Sequence, residues 1–317
     1  MNEFLSSLGH PVEDTEEESF LLFAQEIPTS NLGFVDSRAH SLEVTIHGNE
    51  YTIQQSPSLL SSSRAGGTTG AVLWKITPLF AEWISGLTSN PLWTHLDSPL
   101  QPAVGKTVVE LGCGIAGLVA LSLGPLVQHY VATDQEYVHR LLRENLEENK
   151  SIVYKQKSGG SKGKSGKKKG ASKQAQSDES NISFTSLDWE LDAPDLLKKS
   201  VGIASENDDE EDNGFDLLLS CDCIYNEALI VPFVRTCADI CRLRPAYHPE
   251  KAADERGKNP TICIIAQKQR TPDVFEAWLE ETLKIFWVWR LSDEILGERL
   301  KGGTGYMLHL LVLRDDA

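Results

Sequence analysis

The chain has no apolar run approaching the ~20 residues that a membrane span requires. Its first residues, MNEFLSSLGHPVEDTEEE, lack a basic stretch followed by an apolar one, so no secretory signal is expected there. Paired metal-site cysteines are missing as well. The six cysteines are scattered, and neither Cys221-x-Cys223 nor Cys237-x-x-x-Cys241 has zinc spacing. No metal is expected, and reduced thiols in the cytoplasm, with the nucleus as a second compartment, are the simplest account. Positive charge is scarce: 30 Lys and Arg face 46 Asp and Glu, for a net charge of −16. That balance argues against direct nucleic-acid binding. It suits plain solubility, or a basic protein partner that such a field would attract.

What is present is enough for a sizeable core: 40 % of the 317 residues are hydrophobic, in one large domain or two small ones. Residues 1–18 are acidic and poor in pattern, and a flexible tail is expected. Residues 19–65 form an N-terminal extension. Within it Ser41 to Gln54 alternates apolar and polar residues around Gly48-Asn49, the pattern of a β-hairpin. Residues 66–317 form the main domain. Early in it, Leu73, Trp74, Thr77, Phe80, Ala81 and Ile84 fall at helical spacing, and Pro78 must then lie near the helix start.

The stretch Thr107 to Gly117, TVVELGCGIAG, organises this domain. A β-branched run is broken by Gly112, Gly114 and Gly117, and an apolar helix follows from Leu118 to Leu123. Strand, glycine turn and helix are the first unit of a doubly wound sheet, whose ligand sits over the turn. Gly112-x-Gly114-x-x-Gly117 alone is a weak dinucleotide fingerprint. Glu110, at the strand's end, would repel a pyrophosphate and suit a cationic ligand. S-adenosylmethionine carries a sulfonium, an amino group and no phosphate. The plain alternative is a turn that binds nothing, with Glu110 capping a neighbouring helix.

Further strands follow. His129 to Thr133 leads to Asp134, placed to take a ribose hydroxyl or to cap the helix after it. Ile182 to Leu187 leads to Asp188-Trp189, and Phe215 to Cys221 to Asp222-Cys223-Ile224-Tyr225. Asn226 to Cys241 is expected as helix, Thr261 to Gln267 as strand, and Pro272 to Lys284 as helix. Ile285 to Leu291 and Tyr306 to Leu313 complete seven core strands, the last two antiparallel. Two insertions interrupt this series. Residues 154–181 are rich in Lys, Gly and Ser, with eight lysines and no acid between Tyr154 and Gln176, and a disordered loop is expected. Residues 205–213 form an acidic, solvated loop.

With these motifs in order, the chain resembles the seven-strand, class I S-adenosylmethionine-dependent methyltransferases. Within them it is similar to the protein-lysine members, the fungal ribosomal lysine N-methyltransferase 5 type above all. The resemblance runs from about Thr68 to Arg314 and is interrupted by the Lys-rich insertion, for which the family pattern has no role. It rests on Thr68 to Trp74, Glu110 to Gly114, Asp134, Leu187-Asp188-Trp189 and the Asp222-x-x-Tyr225 signature.

The resemblance implies a cofactor site of Trp74, Glu110, Gly112, Cys113, Gly114, Asp134, Trp189 and Cys221. Asp134 would take the ribose hydroxyls, Trp189 would lie beside the adenine, and Cys221 would be the small residue against it. Without it, Trp74 reads as a core aromatic. Asp222 and Tyr225 would line the lysine channel as catalytic residues, Asp222 holding the incoming ammonium or helping to take its proton. A protein substrate, a ribosomal one, is implied, with the enzyme a monomer. Three alternatives stand beside this. One is a nicotinamide-dependent oxidoreductase, which Glu110 and the Asp-x-x-Tyr signature oppose. Another is a cofactor-binding interaction protein without turnover. The third is a methyltransferase for a small molecule, RNA or another protein.

Overall fold

A computed structural model describes residues 1–28, 32–62, 68–153, 180–203, 212–249 and 258–315. The expected loops at 154–181 and 205–213 therefore lie outside the described residues, apart from their last two residues each.

Among the described residues, nine strands form two sheets. A hairpin of β1 (Ser41–Ile46) and β2 (Asn49–Gln54) stands apart from a seven-stranded sheet. The large sheet comprises β3 (Thr107–Leu111), β4 (His129–Asp134), β5 (Ile182–Ser186), β6 (Leu217–Cys221), β7 (Ile262–Lys268), β8 (Phe286–Arg290) and β9 (Tyr306–Leu313). Their spatial order is β5-β4-β3-β6-β7-β9-β8. The first five are parallel to one another, and β9 runs antiparallel to both β7 and β8. The order reverses beside β3, whose neighbours are β4 and β6. Such a reversal opens a crevice at the carboxyl ends of the strands.

Strands covered on both faces read as continuous apolar runs, because every residue is buried whichever way it points. In β6, Leu217 and Leu219 enter one core and Leu218 the other; in β7, Ile262 and Ile264 oppose Cys263 and Ile265. The first core is covered by helices Ile76–Ile84, Leu118–Leu123 and His139–Glu148 and by the hairpin. The second is covered by helices Ile230–Cys241 and Pro272–Leu283.

The hairpin turn is His47-Gly48, one residue before the expected pair. Ile46 faces Asn49, and both turn residues have positive φ, 48° and 76°. Two-residue turns of that hand match the strand twist, and this register puts Val44, Ile46, Tyr51 and Ile53 inward together. The outer edge of β2 is closed by a helix rather than a strand. Asn145 accepts from the Gln54 amide and donates to its carbonyl, and Asn149 does the same for Thr52. Residues four apart on a helix rise about 6 Å, close to the span of two strand residues. Asn145 also donates to the Ile115 carbonyl, tying the hairpin to the glycine turn.

Two expectations need correcting here. Residues 1–18 are not a loose tail. Asn2–Ser7 and Thr15–Phe23 are helical, Phe4 and Leu5 are buried, and Val12 donates to the Val288 carbonyl of edge strand β8. The buried Glu18 carboxylate pairs with His309, 3.3 Å away, and Arg290, 3.5 Å away. Those partners lie some 270 to 290 residues along the chain, so local composition carries no trace of them. The second correction concerns the helix before β3, which begins at Ile76, so Pro78 sits in its first turn as expected. Leu73 and Trp74 precede it, and Trp74 bridges to Phe34 in extended conformation. Trp74 is therefore not on the helix's core face.

Candidate active site

The crevice at the carboxyl ends of β3, β4, β5 and β6 collects nearly every residue singled out above. Its floor is the turn after β3. Gly112 and Gly114 have positive φ, 72° and 62°, a conformation that costs glycine nothing. A Cβ on Gly112 would come within 2.3 Å of Cys223 Sγ, so bare backbone faces the crevice there. The Gly112 and Cys113 amides both donate to the Thr133 carbonyl. The turn is also held from above, where the Ile115 amide donates to the Gly70 carbonyl.

Asp134 ends β4 on the crevice wall. One carboxylate oxygen accepts from the Gly114 amide at 2.8 Å and the other from the Gln135 amide at 2.7 Å. Burial pushes its carboxyl up to about 6, although both amide donors favour the ionised form. Its side chain caps no helix. Trp189, after β5, lies against Gly112 and packs edge-on to Phe233. The indole Nε1–H of Trp189 is buried with no hydrogen-bond partner among the described residues.

Trp74 closes the other side. Its Nε1 donates to the Thr69 carbonyl, and the Thr69 hydroxyl donates to Tyr225 Oη at 3.1 Å. Thr69 thus ties the tryptophan to the tyrosine of the Asp-x-x-Tyr signature. Tyr225 is 37 % exposed and stands at the mouth. Cys113, Cys221 and Cys223 also line the crevice. Burial pushes all three thiols up, so they are neutral apolar filler.

Asp222 lies between Cys221 and Cys223 with φ of 62°, a left-handed conformation that Asp and Asn tolerate better than other side chains. It lines the crevice but is not free. Arg270 grips it with both nitrogens, Nη1 to Oδ1 at 2.6 Å and Nη2 to Oδ2 at 2.8 Å. The Lys268 amide donates to Oδ1 as well. The expectation of an open carboxylate awaiting an ammonium is therefore corrected: an internal cation already holds it. Nor is Asp222 a helix cap, because Asn226 supplies the oxygen that accepts from the Ala228 amide. Sequence reasoning missed Arg270. The signal available was position, two residues past β7 and beside the end of β6.

Glu110 is the second correction. It is absent from the crevice wall and only 2 % exposed. Residues two apart on a strand share a face, so Glu110 points the way of Val108, into the core under the hairpin. There its Oε2 accepts from Tyr130 Oη at 2.7 Å. Burial pushes its carboxyl up to about 7; the Tyr130 hydrogen bond opposes this and the charge of Asp134 adds to it. It is not a bare anion turned toward a ligand.

The preference for a cation survives on other grounds. Asp134, Asp188, Glu190 and Asp222 line the crevice, and no Lys, Arg or His does among the described residues. A phosphate would find no countercharge there. S-adenosylmethionine fits this donor set. Asp134 can accept hydrogen bonds from ribose hydroxyls, and two indole faces can cover an adenine or a sulfonium. No cluster of His, Cys, Asp or Glu among the described residues could hold a metal.

Comparison with known proteins agrees. Residues 53–158 match a family profile described as lysine methyltransferase. The chain is 31 % identical over 241 residues to a protein of Zygosaccharomyces rouxii named ribosomal lysine N-methyltransferase 5, covering 74 % of this chain and 70 % of that one. Its namesake in Lachancea thermotolerans is 27 % identical over 305 residues, covering 81 % and 83 %. A Schizosaccharomyces pombe protein named diaminohydroxyphosphoribosylamino-pyrimidine deaminase is 27 % identical over 276 residues, 87 % of this chain but 52 % of that protein. With the crevice, the signature and a relative matched over most of both chains, this chain belongs to the lysine methyltransferase family.

Proposed function

We propose that this lysine methyltransferase takes its methyl group from S-adenosylmethionine in the crevice and delivers it to a lysine of a large-subunit ribosomal protein. The observation that carries the reading is the wall itself: carboxylates and two tryptophans around a bare glycine turn, with the Asp222–Tyr225 signature at its mouth. The cofactor supplies an electrophilic methyl group. The chain supplies the rest. Asp134 takes the ribose hydroxyls, Gly112 and Gly114 admit the cofactor against the backbone, and Trp189 and Cys221 flank the adenine. Trp74 and Tyr225 narrow the entry so that only an extended, unbranched side chain reaches the methyl group.

The incoming amine must be neutral, and free lysine has a pKa near ~10.4. Displacement at carbon then needs mainly alignment, and holding the two reactants in line is where an enclosed channel contributes most. The net charge of −16 favours encounter with the basic proteins of the ribosome. The names of the Zygosaccharomyces rouxii and Lachancea thermotolerans relatives point to the same substrate class. We read the enzyme as a monomer that acts in the cytoplasm, where ribosomal proteins are made, with a nuclear pool acting on them before assembly.

The test is transfer of labelled methyl from S-adenosylmethionine into ribosomal protein extracted from cells lacking this gene. One labelled band, identified as a lysine-methylated ribosomal protein, is expected. Cofactor binding without any labelling overturns the reading.

A further inference from the structure

We infer that Arg270 is a positioning residue that sets the charge of the lysine channel, so that the channel takes the neutral amine rather than the ammonium. The inference rests on the function proposed above. It starts from a conflict. A free carboxylate at Asp222 would attract a protonated lysine and hold it in the unreactive form. The geometry removes that difficulty, because the carboxylate is clamped at both oxygens by the Arg270 guanidinium.

The clamp is built in rather than casual. Nη1 also reaches the Ile224 and Lys268 carbonyls, at 3.4 and 3.5 Å. The guanidinium carbon lies 5.5 Å from the centroid of the Trp74 ring and 5.9 Å from that of Tyr225. Arg270 thus touches three residues of the channel wall without lining it. Both partners are well covered, with side chains 18 % and 2 % exposed. A planar fork fits a carboxylate at two points and keeps it from swinging toward an incoming cation. The channel therefore presents an ion pair with no net charge, together with two aromatic faces.

Other groups near Asp222 leave this balance alone. The thiols of Cys221 and Cys223 and the phenols of Tyr225 and Tyr306 are all pushed up by burial, which favours their neutral forms. Glu110 and Asp134 titrate near 7 and 6. Asp188 and Glu190 lie beside Trp189, on the wall of the same crevice. Above about pH 8 both Asp134 and Glu110 are ionised for the most part, and the remaining variable there is the amine.

The experiment measures labelled-methyl transfer into ribosomal protein from cells lacking the gene, between pH 7.5 and 10, for wild type, Arg270→Gln, Asp222→Asn and the double variant. In Arg270→Gln the bare carboxylate favours the ammonium. The rise of kcat with pH should move up by about one unit, with KM unchanged or lower, since an opposite charge at close range shifts a pKa by ~1–3 units. In Asp222→Asn the bare guanidinium should move the rise down. The double variant should return it to within about 0.3 unit of wild type, as expected of groups that act through one coupling. Calorimetry of cofactor binding shows which variants are folded, and the double variant leaves no buried charge uncompensated. A kcat rise whose midpoint stays at the wild-type pH in both single variants, or a double variant no closer to wild type than the singles, overturns the inference and leaves the function standing. Wild-type protein that transfers no label overturns both.

Discussion

Glu110 and Asp222 stand at the carboxyl ends of neighbouring parallel strands, β3 and β6, and both are buried. Glu110 points into a core and meets a neutral phenol, which cannot offset the cost of burial, so its carboxyl is pushed up to about 7. Asp222 lies just past its strand end, in a left-handed turn, and meets a guanidinium that matches it atom for atom. One carboxyl is half neutral at physiological pH and the other is half of an ion pair. A strand-end acid therefore acquires its charge from what the adjacent element brings to it.

Breaking the ion pair should have the largest effect. Asp222→Ala leaves Arg270 facing an apolar pocket and puts alanine in a left-handed conformation. It should cost about 3 kcal/mol of stability by urea unfolding, the lower end for a buried pair because Arg270 is partly exposed. Unlike asparagine, alanine also removes the side chain that shapes the channel wall, so methyl transfer should be lost at every pH, while cofactor affinity should stay within about tenfold, or ~1.4 kcal/mol.

At the other carboxyl the sign reverses. The folded-state pKa of Glu110 is raised above its ordinary value of 4.5. Its contribution to stability is therefore fully present below pH 4.5 and is lost as the pH rises through 7. Glu110→Gln never ionises. Relative to wild type it should gain about 2 kcal/mol between pH 5 and pH 8. A stability difference that does not change with pH would show that Glu110 is ionised at neutrality after all.

Asp134 sharpens the comparison, since its partners are backbone amides. With its carboxyl near 6, affinity for S-adenosylmethionine should weaken as the pH falls through 6. Asp134→Asn should bind about tenfold more weakly at pH 8 and show no such dependence, by calorimetry. The smallest effect is expected for Tyr130→Phe. It removes the one hydrogen bond that holds the Glu110 carboxyl down, costs about 1 kcal/mol, and should move the pH at which stability declines upward.

Much of this was legible in the chain. The alternation of strands and helices, the antiparallel close, the glycine turn and the strand-end residues Asp134, Trp189, Asp222 and Tyr225 are local patterns, and the structure brings those residues to one crevice. Trp74 reached it too, although by an extended bridge to Phe34 rather than from a helix. The misreadings share a physical form. For Glu110 the pattern located the residue but not the face it points to. For Asp222 it located the face but not the partner, which arrives 48 residues later. For residues 1–18 it registered the acid content, while the burial of Glu18 depends on His309 and Arg290.

What the sequence determined on its own is therefore the order of elements and the residues that stand at their ends. Hydrophobic period and glycine placement act over a few residues, and backbone sterics do the rest. What only the tertiary structure decided is which of those residues carry charge into the crevice. That depends on desolvation and on the nearest countercharge, and both are set by segments that meet only after the sheet has formed.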